Sequence, residues 1–147
     1  SNNYVQSDAQ NVSKEISSIK DDEYLSGRLM AHHEVRMSFM SLLGNDGYTK
    51  QFEGTYNQLN KKSNNTYRKH IIRASRHDEQ TLSYVLKQIS RHAIMFAEKS
   101  IKENNEIDIA FSKGLLHEYL LLNKAFRSLS QKDTANKISI LVNQIND

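Results

Sequence analysis

The sequence predicts an all-α protein: a single domain over residues 1–147 that folds as an antiparallel up-down-up-down four-helix bundle. The chain contains no Pro and only five Gly, where average composition gives about seven and about ten, so little interrupts helical backbone. Apolar residues recur every three or four positions along most of the chain, which is the period of a helix with one buried face. The strict alternation typical of a half-buried strand never persists.

The first helix is predicted over about residues 5–43, where apolar positions keep helical spacing throughout. Residues 44–47 (Gly-Asn-Asp-Gly) then bring four strong turn formers together. Glycine suits the left-handed position that follows a helix, and Asp46 suits the N-cap of the next one. This run is the clearest break in the chain.

Two shorter helices are predicted over about residues 47–74 and 78–103. Either residues 61–65 or residues 74–78 could form the turn between them. A turn near residue 76 gives helices of roughly 39, 28, 26 and 40 residues, which at ~1.5 Å per residue return the chain to its starting level. We therefore predict the turn at residue 76.

The fourth helix is predicted over about residues 107–146, after the polar run 103–106. It carries the longest apolar pattern of the chain, from Ile107 to Ile145. The bundle then has two long outer helices and two shorter ones, joined by short loops.

Composition limits the classes of function. With 20 Lys and Arg against 17 Asp and Glu, the formal net charge is +3, and the mixed signs are typical of a solvated surface rather than a nucleic-acid face. The absence of Cys removes zinc-thiolate sites and thiol nucleophiles. Phosphate-binding glycine loops and nucleophile elbows are absent too, so we predict that the domain is not an enzyme. The low apolar share, 37%, favours an elongated body or one that pairs with a copy of itself.

Six His residues raise the question of a metal or a haem. A metal site on helices needs ligands three or four residues apart on one face. None of the His residues has an Asp, Glu or His at that spacing, so we predict no metal and no cofactor. A haem held by one His and one Met, such as His33 and Met95, stays open, although Met side chains more often fill a core.

The proportions of the predicted helices, two long outer ones and two shorter ones, resemble the extracytoplasmic four-helix-bundle sensor domain of bacterial transmembrane receptors, the chemoreceptors and sensor histidine kinases. The resemblance covers the whole chain and is one of architecture, since no ligand motif of the family matches. It implies a periplasmic domain of an inner-membrane protein whose first and last helices continue into membrane spans. It also implies a homodimer through these two helices, with a small anion or a periplasmic binding protein as partner.

A basic stripe marks the middle of the first helix, where Arg28, His32 and Arg36 are spaced i, i+4 and i+8. Like charges at this spacing destabilise a helix by a few tenths of a kcal/mol per pair, which an anion across the stripe would offset. In the predicted bundle the stripe lies level with the last helix near residue 119, so Asn123 and Arg127 would face it. We predict these five residues as the ligand-binding site, with a solvated surface as the competing interpretation.

The predicted function is signal reception, in which a ligand or partner displaces the long helices and the displacement crosses the membrane. A second basic cluster over residues 68–77 could contact a ligand, a partner or anionic lipid, or could be ordinary surface. The alternative function is a soluble helical interaction module that binds protein or nucleic acid through a basic face. Membrane spans on both sides of this segment in the full-length gene product would favour the receptor.

Overall fold

The computed structural model describes residues 2–48 and 76–146, and within these ranges the secondary structure is α-helical, with no strand. The all-α prediction is confirmed for this part of the chain, where four helices pack against one another. The predicted helix 47–74 lies almost wholly outside the described residues. The four helices are α1 (Asn2–Tyr48), α2 (Arg76–Lys102), α3 (Glu106–Ala125) and α4 (Lys132–Asn146).

Helix α1 is interrupted at Gly44, where the backbone has φ 74° and ψ 171°. Glycine adopts this conformation easily because it lacks a Cβ. This interruption coincides with the predicted break after residue 43, and the described helix continues beyond it to Tyr48. The long uninterrupted part of α1 runs from Asn2 to the residue before Gly44.

The turn between α2 and α3 occupies residues 103–105, as the sequence predicts. Asn104 has a positive φ of 52°, a conformation that Asn tolerates better than most residues. The side chain of Asn105 caps α3, because its Oδ1 accepts hydrogen bonds from the backbone N–H groups of Ile107 and Asp108, both at 3.1 Å. This cap fixes the start of the helix that lines the candidate site.

The predicted fourth helix, 107–146, is wrong in one respect, since residues 126–131 form a turn that divides it into α3 and α4. Phe126 and Leu129 are both buried in this turn, and the Ser130 amide donates to the Phe126 carbonyl at 3.0 Å. The Ser83 hydroxyl on α2 also donates to the Leu129 carbonyl, at 2.7 Å. Because positions 126 and 129 also fit helical spacing, the apolar pattern alone could not reveal the turn.

The direction of α3 also differs from the predicted bundle. The Lys20 ammonium lies 3.4 Å from the Glu106 carboxylate, while the ring centroids of Phe39 and Phe126 lie 5.2 Å apart. Residue numbers therefore rise together along the two helices, so α1 and α3 are parallel. The predicted antiparallel pairing of the first helix with residues 107–125 is therefore wrong, and it is the helix after the turn at 126–131 that runs opposite to α3.

Two glycines bring α1 and α3 into backbone contact. A Cβ added at Gly27 would overlap the Phe111 carbonyl oxygen, and one added at Gly114 would overlap the Tyr24 carbonyl oxygen. The relation is reciprocal. Gly27 faces the backbone of α3 before and after Gly114, and Gly114 faces the backbone of α1 before and after Gly27. Backbones this close leave no room for a side chain at either position and place Cα–H groups against carbonyl oxygens.

The core continues from this crossing towards the turn at residues 126–131. Its largest fully buried apolar side chains come from all four helices and from this turn, and all of them pack in one cluster. Residues 10–19 of α1, by contrast, are all exposed. The first part of α1 therefore extends away from the packed body of the described helices.

We expect Gly27→Ala and Gly114→Ala each to destabilise the protein by about 3 kcal/mol, the upper end for overpacking, because the new methyl group meets rigid backbone. At an ordinary position inside a helix, the same change stabilises by about 0.5–1 kcal/mol. Urea unfolding would measure both variants against Ser17→Ala, an exposed position of α1 that should stay close to wild type. Stabilisation by either glycine substitution would contradict the backbone contact.

Candidate functional site

A cleft of about 850 Å³ opens where α1, α3 and the end of α4 meet. Its volume is in the range of small-molecule sites. Charged groups and apolar side chains both line it, so it can hold a ligand that has both kinds of surface. The lining residues are Lys20, Asp21, Tyr24, Asn104, Glu106, Ile109, Ala110, Lys113, His117 and Ile145.

Tyr24 and His117 join α1 to α3 at the inner end of this cleft. The Tyr24 hydroxyl and His117 Nδ1 are hydrogen-bonded at 2.7 Å, and the rings meet edge to face with centroids 5.4 Å apart. Tyr24 precedes Gly27 by three residues, and His117 follows Gly114 by three. The pair therefore lies one helical turn from the glycine contact on each helix, and this contact sets its geometry.

His117 is held in its neutral form. Burial lowers the pKa of its imidazole below the usual 6.5, and the positive charges of Lys113 and Arg28 lower it further. The carboxylate of Glu118 acts in the opposite direction, with a smaller effect. At neutral pH the imidazole is therefore a neutral hydrogen-bonding group, with Nδ1 occupied by Tyr24 and Nε2 left for a ligand.

Arg28 and Glu118 form a second link between α1 and α3. Arg28 Nε donates to Glu118 Oε1 at 2.6 Å, and one terminal nitrogen of the guanidinium lies equally close to the same oxygen. The Glu118 side chain is 2% exposed, whereas that of Arg28 is 35% exposed. The Arg28 guanidinium also lies 6.0 Å from the centroid of the Tyr24 ring, so it connects the ion pair to the Tyr24–His117 pair.

The predicted basic stripe follows α1 as expected, but its members have different surroundings. Arg28 is half-buried and already faces a carboxylate, that of Glu118. His32 is half-buried and Arg36 is exposed. At Arg28 the negative charge that we expected from a ligand is thus supplied by the protein itself, through the carboxylate of Glu118.

Asn123 and Arg127 line a different groove, of about 480 Å³, between α3 and α4. Asn123 is 4% exposed. Its amide nitrogen donates to Ser90 Oγ and to the Tyr119 carbonyl, and its oxygen accepts from Ser130 Oγ. The structure therefore brings Asn123 and Arg127 together with each other, and the polar atoms of Asn123 act inside the fold.

Tyr119 makes a further link between α3 and α1. Its hydroxyl donates to Glu34 Oε2 at 2.8 Å. Burial, and to a smaller extent the Glu34 carboxylate, raise the pKa of Tyr119, which keeps the phenol protonated. Three polar contacts, made by Tyr24, Arg28 and Glu34, therefore follow the parallel pair of helices along its length.

None of the residues that line the cleft was predicted from the sequence, among them Tyr24, Lys113 and His117, and the ion-pair partner Glu118 was missed as well. The helical apolar pattern is compatible with either a core or a surface position for Tyr24 and Glu118. It therefore did not identify them as site residues. The available signal was Gly27 and Gly114, because glycine inside a helix often marks the close approach of another backbone. Two such glycines would have suggested which faces of α1 and α3 meet.

In the part of the chain that the structure describes, no group of three or more His, Asp or Glu residues is arranged to hold a metal ion. None of the described helices is long and apolar enough to cross a membrane. The predicted basic cluster at residues 68–77 lies outside the residues whose side chains are described. His33 and Met95, the open haem pair, are both exposed.

Comparisons of the chain with protein-family models, with curated proteins and with solved structures find no significant match. Function is therefore inferred from the residues and geometry of this chain.

We expect the free energy of unfolding to decrease as the pH falls below 6.5. Because the pKa of His117 is lower in the folded state, the unfolded chain binds more protons in this range, so stability is complete above pH 6.5 and is lost towards the folded-state pKa. Urea unfolding between about pH 7.5 and about pH 5 would compare wild type with His117→Gln, which should show a weaker pH dependence. Identical pH dependence in the two proteins would contradict the burial of a neutral His117.

We expect Arg28→Met to destabilise the protein by about 2 kcal/mol, because it leaves the buried carboxylate of Glu118 without its guanidinium. The effect is below that of a fully buried pair because Arg28 is partly exposed. In Arg28→Met/Glu118→Leu the buried charge is gone, so most of the stability should return. A double variant that loses the sum of both single effects would show that the two residues are not coupled.

Proposed function

We propose that this domain is the extracytoplasmic sensing part of a transmembrane signalling receptor, where it binds a small ligand or a partner protein and passes a conformational change through its first and last helices. One observation supports this proposal above the others, namely that α1 has two separate apolar faces. One face packs inside the described bundle, and the other is exposed, although at Val12 and Ile16 it also borders a groove beside Glu106 of α3. A helix of this kind can connect a ligand site in its own bundle with a second protein surface.

The inner face of α1 consists of small and apolar residues four positions apart, and all of them are buried. They pack towards α3 and the core. The outer face has five exposed apolar residues at a and d positions of a heptad repeat, and polar residues occupy the a and d positions between them, namely Glu23, Ser26 and His33. The inner residues are Gly27, Ala31, Val35 and Phe39. The outer residues are Val12, Ile16, Ile19, Met30 and Met37.

This outer face, which we call the α1 seam, has the spacing of a coiled-coil interface. Ile16, Met30 and Met37 occupy a positions, and Val12 and Ile19 occupy d positions. An exposed apolar row of this length normally contacts another protein surface. A second copy of the chain fits, because it supplies the same heptad repeat and closes the interface through twofold symmetry.

The direction of the helices supports transmission towards one side. Lys20 on α1 and Ile145 on α4 line the same cleft, so the end of the last described helix lies near the level of Lys20 on the first. A ligand in the cleft contacts both helices. It shifts their relative position only if it binds two arrangements of the helices with different affinity, since equal affinity shifts no equilibrium.

A soluble interaction module is the second candidate, favoured by the groove between α3 and α4. Three exposed cations, Lys124, Arg127 and Lys132, line this groove together with polar and apolar residues. None of its lining residues is acidic. An acidic protein segment or a nucleic-acid backbone would be attracted to such a surface. Hydropathy of the full-length gene product would distinguish the candidates, because the receptor requires flanking membrane spans.

The α1 seam is tested by cross-linking, because the chain has no Cys and one introduced thiol is its only thiol. In a parallel dimer, residue 16 of one copy faces residue 16 of the other. We expect Ile16→Cys to form a disulfide-linked dimer under mild oxidation at high protein concentration. The high concentration is needed because an isolated domain lacks the effective concentration that a membrane anchor provides.

Lys14→Cys is the matched control, since Lys14 is exposed and lies on the opposite side of α1, and it should cross-link only at the level of random collisions. Equal cross-linking of the two variants would refute the seam. Cross-linking of Ile16→Cys only with His33→Cys would indicate an antiparallel dimer, which contradicts the receptor.

A further inference from the structure

Helix α3 presents a row of three residues to the cleft, with Ile109, Lys113 and His117 spaced four positions apart. Residues at this spacing lie on one face of a helix. Along the helix, the row begins with the apolar Ile109, continues with the cationic Lys113 and ends with His117, a neutral hydrogen-bonding group. Ala110 and, from α4, Ile145 add to its apolar part.

The charges around the cleft are not equivalent. Lys20 is paired with Glu106 at 3.4 Å, and Asp21 is exposed to solvent. Lys113 is half-buried, and no carboxylate of the described residues forms an ion pair with it. Since a half-buried charge is screened less than an exposed one, a ligand anion gains most beside Lys113.

His117 adds a hydrogen-bonding group beside Lys113. Its Nδ1 is occupied by the Tyr24 hydroxyl, so the nitrogen available to a ligand is Nε2. When Tyr24 donates to Nδ1, the neutral ring carries its proton on Nε2 and donates to a ligand oxygen. An ammonium and an imidazole N–H one helical turn apart suit the two oxygens of a carboxylate.

The size and apolar lining of the cleft exclude the smallest anions as its best ligands. A volume of about 850 Å³ is large for nitrate or acetate, which would leave Ile109, Ala110 and Ile145 uncovered. An apolar body that covers these side chains removes their surface from water and so contributes to binding.

We infer that the cleft binds an organic monocarboxylate with an apolar body, its carboxylate beside Lys113 and His117 and its body against Ile109, Ala110 and Ile145. This inference rests on the proposed ligand-sensing function and gives the class of its ligand. It moves the ligand away from the basic stripe, where Arg28 faces Glu118, to the neighbouring cleft.

Calorimetric titration of the full 147-residue chain with 2-naphthoate tests the inference. Acetate is the probe without an apolar body, and 2-naphthamide is the uncharged probe of the same shape. We expect 2-naphthoate to bind at least tenfold more tightly than either. Equal affinity for 2-naphthoate and 2-naphthamide would overturn the role of the carboxylate. Equal affinity for 2-naphthoate and acetate would overturn the role of the apolar lining.

Lys113→Gln should weaken 2-naphthoate binding about tenfold, as expected for the loss of one charge-assisted contact, while Lys113→Arg should retain most of it. Lys99→Gln is the matched control, because Lys99 is exposed on α2 and lines neither the cleft nor the groove between α3 and α4, and should bind as wild type does. Thermal unfolding of each variant shows that it is folded. Equal losses in Lys113→Gln and Lys99→Gln would indicate non-specific attraction and overturn the site.

The outcomes separate this inference from the proposed function. Cross-linking through Ile16→Cys without 2-naphthoate binding refutes the ligand class and leaves the α1 seam. Binding that depends on Lys113 without cross-linking supports the cleft and counts against the dimeric receptor.

Discussion

The backbone contact between Gly27 and Gly114 determines the rest of the described structure. Two helices whose backbones touch have one relative position along their axes, because sliding by one residue would place a side chain where only a hydrogen atom fits. This position sets Tyr24 against His117 on one side of the crossing. It also sets Arg28 against Glu118. The polar contacts stabilise a register that the glycines define sterically.

The sequence was sufficient to predict helices but not their directions. Helical periodicity and the glycine-rich run after residue 43 predicted the interruption of α1 at Gly44, and the polar residues 103–105 predicted the turn before α3. The turn at residues 126–131 remained hidden because Phe126 and Leu129 are apolar at helical spacing and are also buried in the turn. Periodicity indicates which residues are buried but not the backbone conformation that buries them. Phe126 and Leu129 could be buried either by a continuing helix or by a tight turn.

The candidate site was harder to predict for a related reason. A stripe such as Arg28, His32 and Arg36 is visible in the sequence because its members share one helix. The contacts of Arg28 with Glu118, and of Tyr24 with His117, join positions about ninety residues apart, so no local spacing contains them. Asn123 was chosen for its level in an antiparallel bundle. In the structure Tyr119 does reach the level of the stripe, at Glu34, but the Asn123 amide makes its hydrogen bonds to α2 and to the turn.

The two apolar faces of α1 give the proposed function a physical route. Since Gly27 touches the backbone of α3, a ligand that moves α3 by a fraction of an ångström must also move α1 or break the contact. Close-packed helices move between discrete arrangements rather than deforming continuously. The α1 seam is on the same rigid helix, so a shift at the cleft changes the position of Ile16 relative to any partner helix. Transmission then needs no chain of intermediate residues, because a single helix belongs to the ligand site and to the proposed interface.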